Sequence, residues 1–224
     1  MSEVSDQGLV LRLVPFGDSS LIAHLLTNGH GRIHVMARGA RRPKSDMRGA
    51  LQPLHMLSLR WRPGRTGMGA LLSVERGQAL APSTHMIAAQ GLTAVVSGLH
   101  PEGGGEADGL AEVVAAYELL AARNEETGLL AACWWLLNKH GWLGELDHCW
   151  RCGYQGGELF WSRGHLQCAR CGGGELISLG LRKAIPAHVH SQSVILSGPN
   201  IQTWRKMVQD VLAEHGMKPL ALIY

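Results

Sequence analysis

The sequence predicts an α+β multidomain protein: an N-terminal β-barrel, an α-helical C-terminal domain and, inserted in that domain, a four-cysteine module. Three observations carry this reading. Short alternating apolar runs fill the first eighty residues, helical periodicity takes over after Pro82, and two Cys-x2-Cys pairs stand fifteen residues apart around position 160. The corresponding segments are a barrel over 1–80, a first helical part over 81–146, the cysteine module over 147–175 and a closing helical part over 176–224.

In the first segment the strands are Leu9-Val-Leu-Arg-Leu-Val14, Leu21-Ile-Ala-His-Leu-Leu26, Arg32-Ile-His-Val-Met36, Leu54-His-Met-Leu-Ser-Leu-Arg-Trp61 and Ala70-Leu-Leu-Ser-Val-Glu75. Turn signals at Phe16-Gly-Asp-Ser, Asn28-Gly-His-Gly31 and Pro63-Gly-Arg-Thr-Gly67 separate them. Five short strands in about eighty residues fit a small closed barrel of the OB type, because closure removes sheet edges.

Beyond Pro82, Ser83 or Thr84 is a plausible N-cap for a helix running to Leu99, and His100-Pro-Glu-Gly-Gly-Gly-Glu106 reads as a turn or loop. Val113, Val114, Tyr117 and Leu120 mark a helix over about 109–123, and a third runs from Thr127 to about His140. Its Trp134 and Trp135 are read as core rather than as stacking platforms, and Cys133 as a buried small hydrophobe. The stripe Trp204, Met207, Val208, Val211 and Leu212 predicts one closing helix, with Asn200 or Thr203 near its start and Gly216 past its end.

The cysteines form the frame Cys149-Trp-Arg-Cys152-Gly153 and Cys168-Ala-Arg-Cys171-Gly172. Two residues between paired cysteines let a tight turn aim both sulfurs at one ion, and four thiolates select zinc over magnesium or calcium. Two disulfides, or cysteines that merely pack, are the alternatives. Disulfide frameworks suit small secreted chains, whereas this sequence begins Met1-Ser-Glu-Val-Ser-Asp6, with neither a basic nor an apolar leader region. A four-sulfur shell has no open position for water or substrate, so the zinc is expected to hold structure. The module's glycine-rich, strand-poor sequence could not bury a core without it. His148, His165, His188 and His190 could replace a ligand, but the cysteine count is already complete.

The net charge of +3 is unevenly spread: +6 over 1–80, −5 over 81–144 and +2 over 145–224. No apolar stretch has the length of about 18 residues that a membrane span needs, so a soluble globular protein with no membrane span and no membrane partner is expected. The densest charge is Ala37-Arg-Gly-Ala-Arg-Arg-Pro-Lys-Ser-Asp-Met-Arg48, where Arg38, Arg41, Arg42, Lys44 and Arg48 face one carboxylate. Alternation stops at Gly39, so these cations are expected on a barrel loop rather than a helix face. Arginine forks and a lysine there suit phosphate oxygens, and Arg32, Arg60, Arg62 and Arg65 add cations on adjoining strands and loops. A solvated charged loop is the plainer alternative. Only Phe16 and Trp61 offer aromatic rings for base stacking in the barrel.

The sequence holds no nucleophile elbow, Walker loop, HExxH or paired carboxylates, and the run Gly103-Gly-Gly105 lacks the lysine of a phosphate loop. Its twelve histidines are scattered without ligand spacing, so nothing in it argues for an enzyme.

These residues resemble the RecO family of bacterial recombination mediators, from near Gly8 to about Leu222. In the barrel the resemblance rests on Thr27-Asn-Gly-His-Gly-Arg32, Ala37-Arg-Gly-Ala-Arg-Arg-Pro-Lys-Ser45 and Leu51-Gln-Pro-Leu54. Beyond it rests on Leu136-Leu137, Gly141-Trp-Leu-Gly-Glu-Leu-Asp147, Leu159-Phe-Trp-Ser162 and both cysteine pairs. The chain departs from the family's usual pattern at Gly17, over Ala88 to Leu99 and at Lys218-Pro-Leu220. The resemblance implies an OB barrel, a helical domain and a zinc module. It also implies binding of single- and double-stranded DNA, annealing of strands coated by single-strand-binding protein, and work with RecR to load RecA, in the bacterial cytoplasm near the nucleoid. A zinc-ribbon adaptor that binds proteins and little DNA is the other reading, and a metal-dependent hydrolase, needing an open zinc position, is a distant third.

Overall fold

A computed structural model of the chain describes residues 2–65, 67–102, 109–190 and 194–220. Gly103-Gly-Gly105 lies outside them. The chain divides into two compact units, Met1–Tyr117 and Glu118–Tyr224.

The first unit is built on β1 (Val4–Phe16), β2 (Ser20–Thr27), β3 (Gly31–Ala37), β4 (His55–Arg62) and β5 (Met68–Ala79). They close into a barrel in the order β1-β2-β3-β5-β4, with β4 returning antiparallel to β1 and β3 and β5 forming the parallel pair. Alternation does the sorting. In β3, Ile33, Val35 and Ala37 are buried while Arg32, His34 and Met36 between them are not; in β4, Leu57, Leu59 and Trp61 are buried while Ser58, Arg60 and Arg62 are exposed. Val10, Leu25 and Leu71 complete the same core, each buried aliphatic side chain contributing about 1.5–3 kcal/mol. Register shifts in β1 after Val10 and in β4 near Trp61 bend these strands toward closure. At the β4–β5 turn, a Cβ on Gly64 would lie 1.8 Å from the Met68 carbonyl oxygen, so only glycine fits there.

The connection from β3 to β4 is not all loop. Asp46–Ala50 forms a short helix, α1, which packs on β5, so Arg48 sits on a helical turn rather than on the expected loop. A 3-10 turn over Ser83–His85 leads into α2 (Met86–Leu99), so the helix starts after the expected caps at Ser83 or Thr84. The buried face of α2 carries Ala89, Leu92, Val96 and Leu99 and packs against β1. The Thr93 hydroxyl bonds Tyr117 of α3 (Gly109–Ala121) at 2.6 Å.

In the second unit, Asn124 caps α4 (Glu125–Lys139) by accepting from the Thr127 amide at 3.0 Å. Leu129, Leu130, Cys133, Leu136 and Leu137 bury most of its circumference, and burial pushes the Cys133 thiol up to about 12, as suits an inert core residue. Trp134 is buried at 6.0 Å from Trp161 and 6.4 Å from Trp204, while Trp135 is only half-buried beneath the Lys139 ammonium.

Two expectations fail here. The cysteine segment contains β6 (Leu159–Ser162), β7 (His165–Gln167) and β8 (Glu175–Ile177), paired antiparallel in the order β7-β6-β8, because Leu159, Trp161 and Leu166 alternate inward within runs too short to register. The chain also closes with two helices, α5 (Leu179–Val189) and α6 (Gly198–Glu214), both packed on α4. Gly180 and Pro186 mask α5 in the sequence, but the Ser178 side chain caps its start by accepting from the Leu181 amide. α6 has Ser197 as its cap, and Gly216, at φ +69°, follows its end as expected.

His188 of α5 is 8% exposed, edge-on to Trp204 at 5.8 Å. Burial first, then the nearby Arg123 charge, hold its pKa below the ordinary histidine value. The unfolded chain therefore takes up this proton more readily than the folded one, and stability falls as pH drops below about 6.5. His188→Gln is expected to flatten the fall of Tm between about pH 6.5 and 5. An unchanged pH profile would assign that fall to other groups.

Candidate metal centre and nucleic-acid interface

The Sγ atoms of Cys149, Cys152, Cys168 and Cys171 all lie within 4.8 Å of one another, and Cys152 and Cys168 are 3.8 Å apart. A tetrahedral ion with Zn–S bonds of 2.3 Å would set its sulfurs about 3.8 Å apart, so the four thiols fit one such ion. Each knuckle is a tight turn. The Gly153 amide donates to the Cys149 carbonyl at 2.8 Å with φ +71°, a conformation that favours glycine, and the Gly172 amide donates to the Cys168 carbonyl at 3.1 Å. Arg151 joins the two by donating to the Cys171 carbonyl at 3.3 Å.

The acidity of these thiols fits the same assignment. Burial works against ionisation of Cys149, but backbone N–H groups of Cys168, Cys152 and Arg151 overcome it and lower the thiol to about 6. Cys168 is lowered in the same way, against burial, by the amides of Cys171 and Arg170. Cys171 goes the other way, to about 12, through hydrogen bonds with Cys152 and Cys168. Four converging acids divide their protons like this on their own, whereas a shared dication deprotonates all of them. Of the four histidines considered as substitutes, His148 is held by Asp147, His165 lies beside Trp150, His188 packs on Trp204 and His190 bonds the Pro186 carbonyl. None joins the sulfur cluster.

At one end of the barrel, where β1, β3 and β4 finish, Arg38, Arg42 and Arg62 line a groove of about 570 Å³ together with Phe16 and Met68. Phe16 is 53% exposed, whereas Trp61 is 6% exposed in the core, so only the first of the two rings can meet a base. Among the described residues Arg38, Arg42, Lys44 and Arg48 have no side-chain hydrogen bond or ion pair, and all four are exposed. Arg41 is exposed and donates to the Gly17 carbonyl at the β1–β2 turn. Arg62 and Arg60 share the Glu3 carboxylate at 3.1 and 2.6 Å, and these two arginines hold its pKa below the ordinary value.

Arg32 is placed differently. Its side chain is 12% exposed and donates to the Ser97 and His100 carbonyls at 2.9 and 3.0 Å, capping the C-terminal end of α2 from β3. Lys44 and Arg48 lie on the β3–β4 connection and do not line the groove. The histidines are not all scattered either: β2 and β3 pair His24 with His34, and Glu102 joins them. No ligand spacing could reveal this, because the pairing depends on strand register.

Five strands closed in this order make a barrel of the OB type, and the arginine-lined groove lies at one end of it. Residues 1–78 match the sequence profile described as "Recombination protein O N terminal". It is 39% identical over 79 residues to DNA repair protein RecO of Thiobacillus denitrificans, an alignment covering 35% of this chain and 30% of the relative. The protein of the same name from Chromobacterium violaceum is 44% identical over 54 residues, covering 24% and 22%. That of Serratia proteamaculans is 36% identical over 87 residues, covering 39% and 35%. The chain thus spans about a third or less of the relatives it matches. Among the described residues no helix is long and apolar enough to cross a membrane.

Proposed function

We propose that this protein is a DNA repair and recombination mediator that binds single- and double-stranded DNA through the barrel, anneals complementary strands and assists RecA loading together with RecR. The observation that carries the reading is the groove of unpaired arginines, Arg38 and Arg42, at the end of a barrel whose sequence matches the RecO N-terminal domain. Arg41 stands beside it, and Lys44 and Arg48 extend the positive surface along the connection to β4. Arg32 ties β3 to the end of α2 and is left out of the DNA-binding set. Cations on one surface offset phosphate repulsion between two strands, so complementary bases meet and zip without any bond being broken, and no catalytic residue is required.

The four cysteines are assigned one structural zinc ion, held by Cys149, Cys152, Cys168 and Cys171. We read the module as an insertion between α4 and α5, over about 147–175, and the barrel as the domain 1–80. The helical segments 81–146 and 176–224 complete the arrangement. In the second unit, a cleft of about 710 Å³ is lined by Trp134, Trp135, Lys139, Arg182 and Lys183 together with Glu145 and Asp147, and its cationic side is where the acidic tail of single-strand-binding protein would lie. The protein would work in the bacterial cytoplasm, on the nucleoid.

Exposed Trp150, Tyr154, Leu176 and Leu179, on and beside the cysteine module, favour a second reading, an adaptor that uses proteins rather than DNA. Annealing of complementary oligonucleotides, bare and coated by single-strand-binding protein, separates the two. The mediator speeds annealing in both states. A protein that neither binds oligonucleotides at low salt nor accelerates annealing is the adaptor.

A further inference from the structure

We infer that His24, His34 and Glu102 form a second metal site, taking one divalent transition ion of the zinc class where the barrel meets the segment following α2. The pairing of β2 with β3 sets His24 directly opposite His34, on the same face of the sheet, with ring centroids 4.2 Å apart. Glu102 brings Oε1 to 3.9 Å from His24 Nδ1 and 3.3 Å from His34 Nε2, and the three donor atoms fall within 4.8 Å of one another. Both ring nitrogens are shut off from solvent and make no hydrogen bond, although the carboxylate lies within reach. Buried polar atoms of this kind are nearly always satisfied, and two of them beside one carboxylate oxygen are accounted for by a shared cation.

The donor set decides the class of ion. Two imidazoles with one carboxylate suit zinc and its neighbours, whereas magnesium and calcium prefer oxygen alone. Three protein ligands leave one position of a tetrahedral shell for water or for a donor from a partner, unlike the closed four-sulfur centre. Arg32, 3.4 Å from the same Glu102 oxygen and anchored on the Ser97 and His100 carbonyls, holds the carboxylate over the two rings. Its charge weakens the hold on a dication but fixes the geometry. A bound ion would tie the segment after α2 to β2 and β3. The cluster Glu145, Asp147 and His148 makes no comparable case, because His148 already bonds Asp147 and every member is open to solvent or nearly so.

The test uses the full chain, equilibrated against buffered zinc and analysed for metal per protein. Two zinc ions per chain are expected for the wild type. One is expected for Glu102→Gln, whose exposed side chain leaves the fold intact, and for His34→Ala, while a Cys149→Ser/Cys152→Ser variant keeps the barrel ion. With cobalt as the probe, the ion lost from Glu102→Gln should be the one without an intense sulfur charge-transfer band. Loss of one equivalent in either barrel variant supports the site. Barrel variants that both hold as much metal as the wild type overturn it, whatever the sulfur centre holds.

Discussion

Cys149→Ser is expected to abolish stoichiometric metal at the sulfur centre and to unfold β6, β7 and β8. The sheet is small: its buried apolar side chains are essentially Leu159, Trp161, Leu166 and Ile177, and its strands are four, three and three residues long. Three such strands bury too little apolar surface to offset the ordering of about thirty residues, at roughly 1–2 kcal/mol each for the backbone. A structural zinc contributes about 10–16 kcal/mol in comparable small modules, as large as the whole stability of an ordinary domain. The first readout is metal content. The second is tryptophan emission, because Trp161 leaves its place 6.0 Å from Trp134 when the sheet opens. Cleavage within residues 147–177 by a protease is the third. A variant that loses the ion yet keeps protease resistance and emission would show that packing alone supports the sheet.

The same substitution separates structure from function. The barrel has its own core around Val35, Leu57 and Trp61, all within the first unit. Oligonucleotide binding at low salt is therefore expected to survive the loss of the sulfur centre, even as partner contacts on the second unit fail. An ion held by these four sulfurs would brace the module, and the barrel would handle DNA without it.

Period-two alternation made the barrel legible before any coordinates, since Ile33, Val35, Leu57 and Leu59 face one core and a single slip of register would expose them all. The sulfur centre was equally legible, because Cys-x2-Cys spacing is a local geometric requirement. What stayed hidden depends on distance along the chain. The pairing of His24 with His34 and the reach of Glu102 follow from strand register and the end of α2. The withdrawal of Arg32 from the basic surface follows from carbonyls 65 and 68 residues away. α5 escaped because Pro186 breaks its pattern, although Leu181, Ile185 and Val189 repeat every four residues toward the core. The two aromatic rings of the barrel could not be ranked by composition: Trp61 fills the core, while Phe16 ends β1 in the open.

Replacing Arg38 and Arg42 together with alanine is expected to weaken DNA binding for every sequence and to flatten its salt dependence. Each phosphate contact contributes about 0.7 to the log–log slope on single strands and about 0.9 on duplex, so the double variant should lose about 1.4 and about 1.8 respectively. Affinity falls most at low salt, where counterion release drives binding, and the wild type and variant converge as salt rises. Arg32→Ala supplies the contrast. It removes the cap on α2 and should lower Tm while leaving the slope unchanged, because its guanidinium is held by Ser97 and His100. Phe16→Ala tests the remaining contribution: a base stacked on this ring is worth about 1–3 kcal/mol on single strands, and that loss persists at high salt. If the slope is the same in wild type and in the double variant, phosphate does not meet the groove between Phe16 and Met68, and the DNA surface must be sought along the Lys44 to Arg48 connection instead.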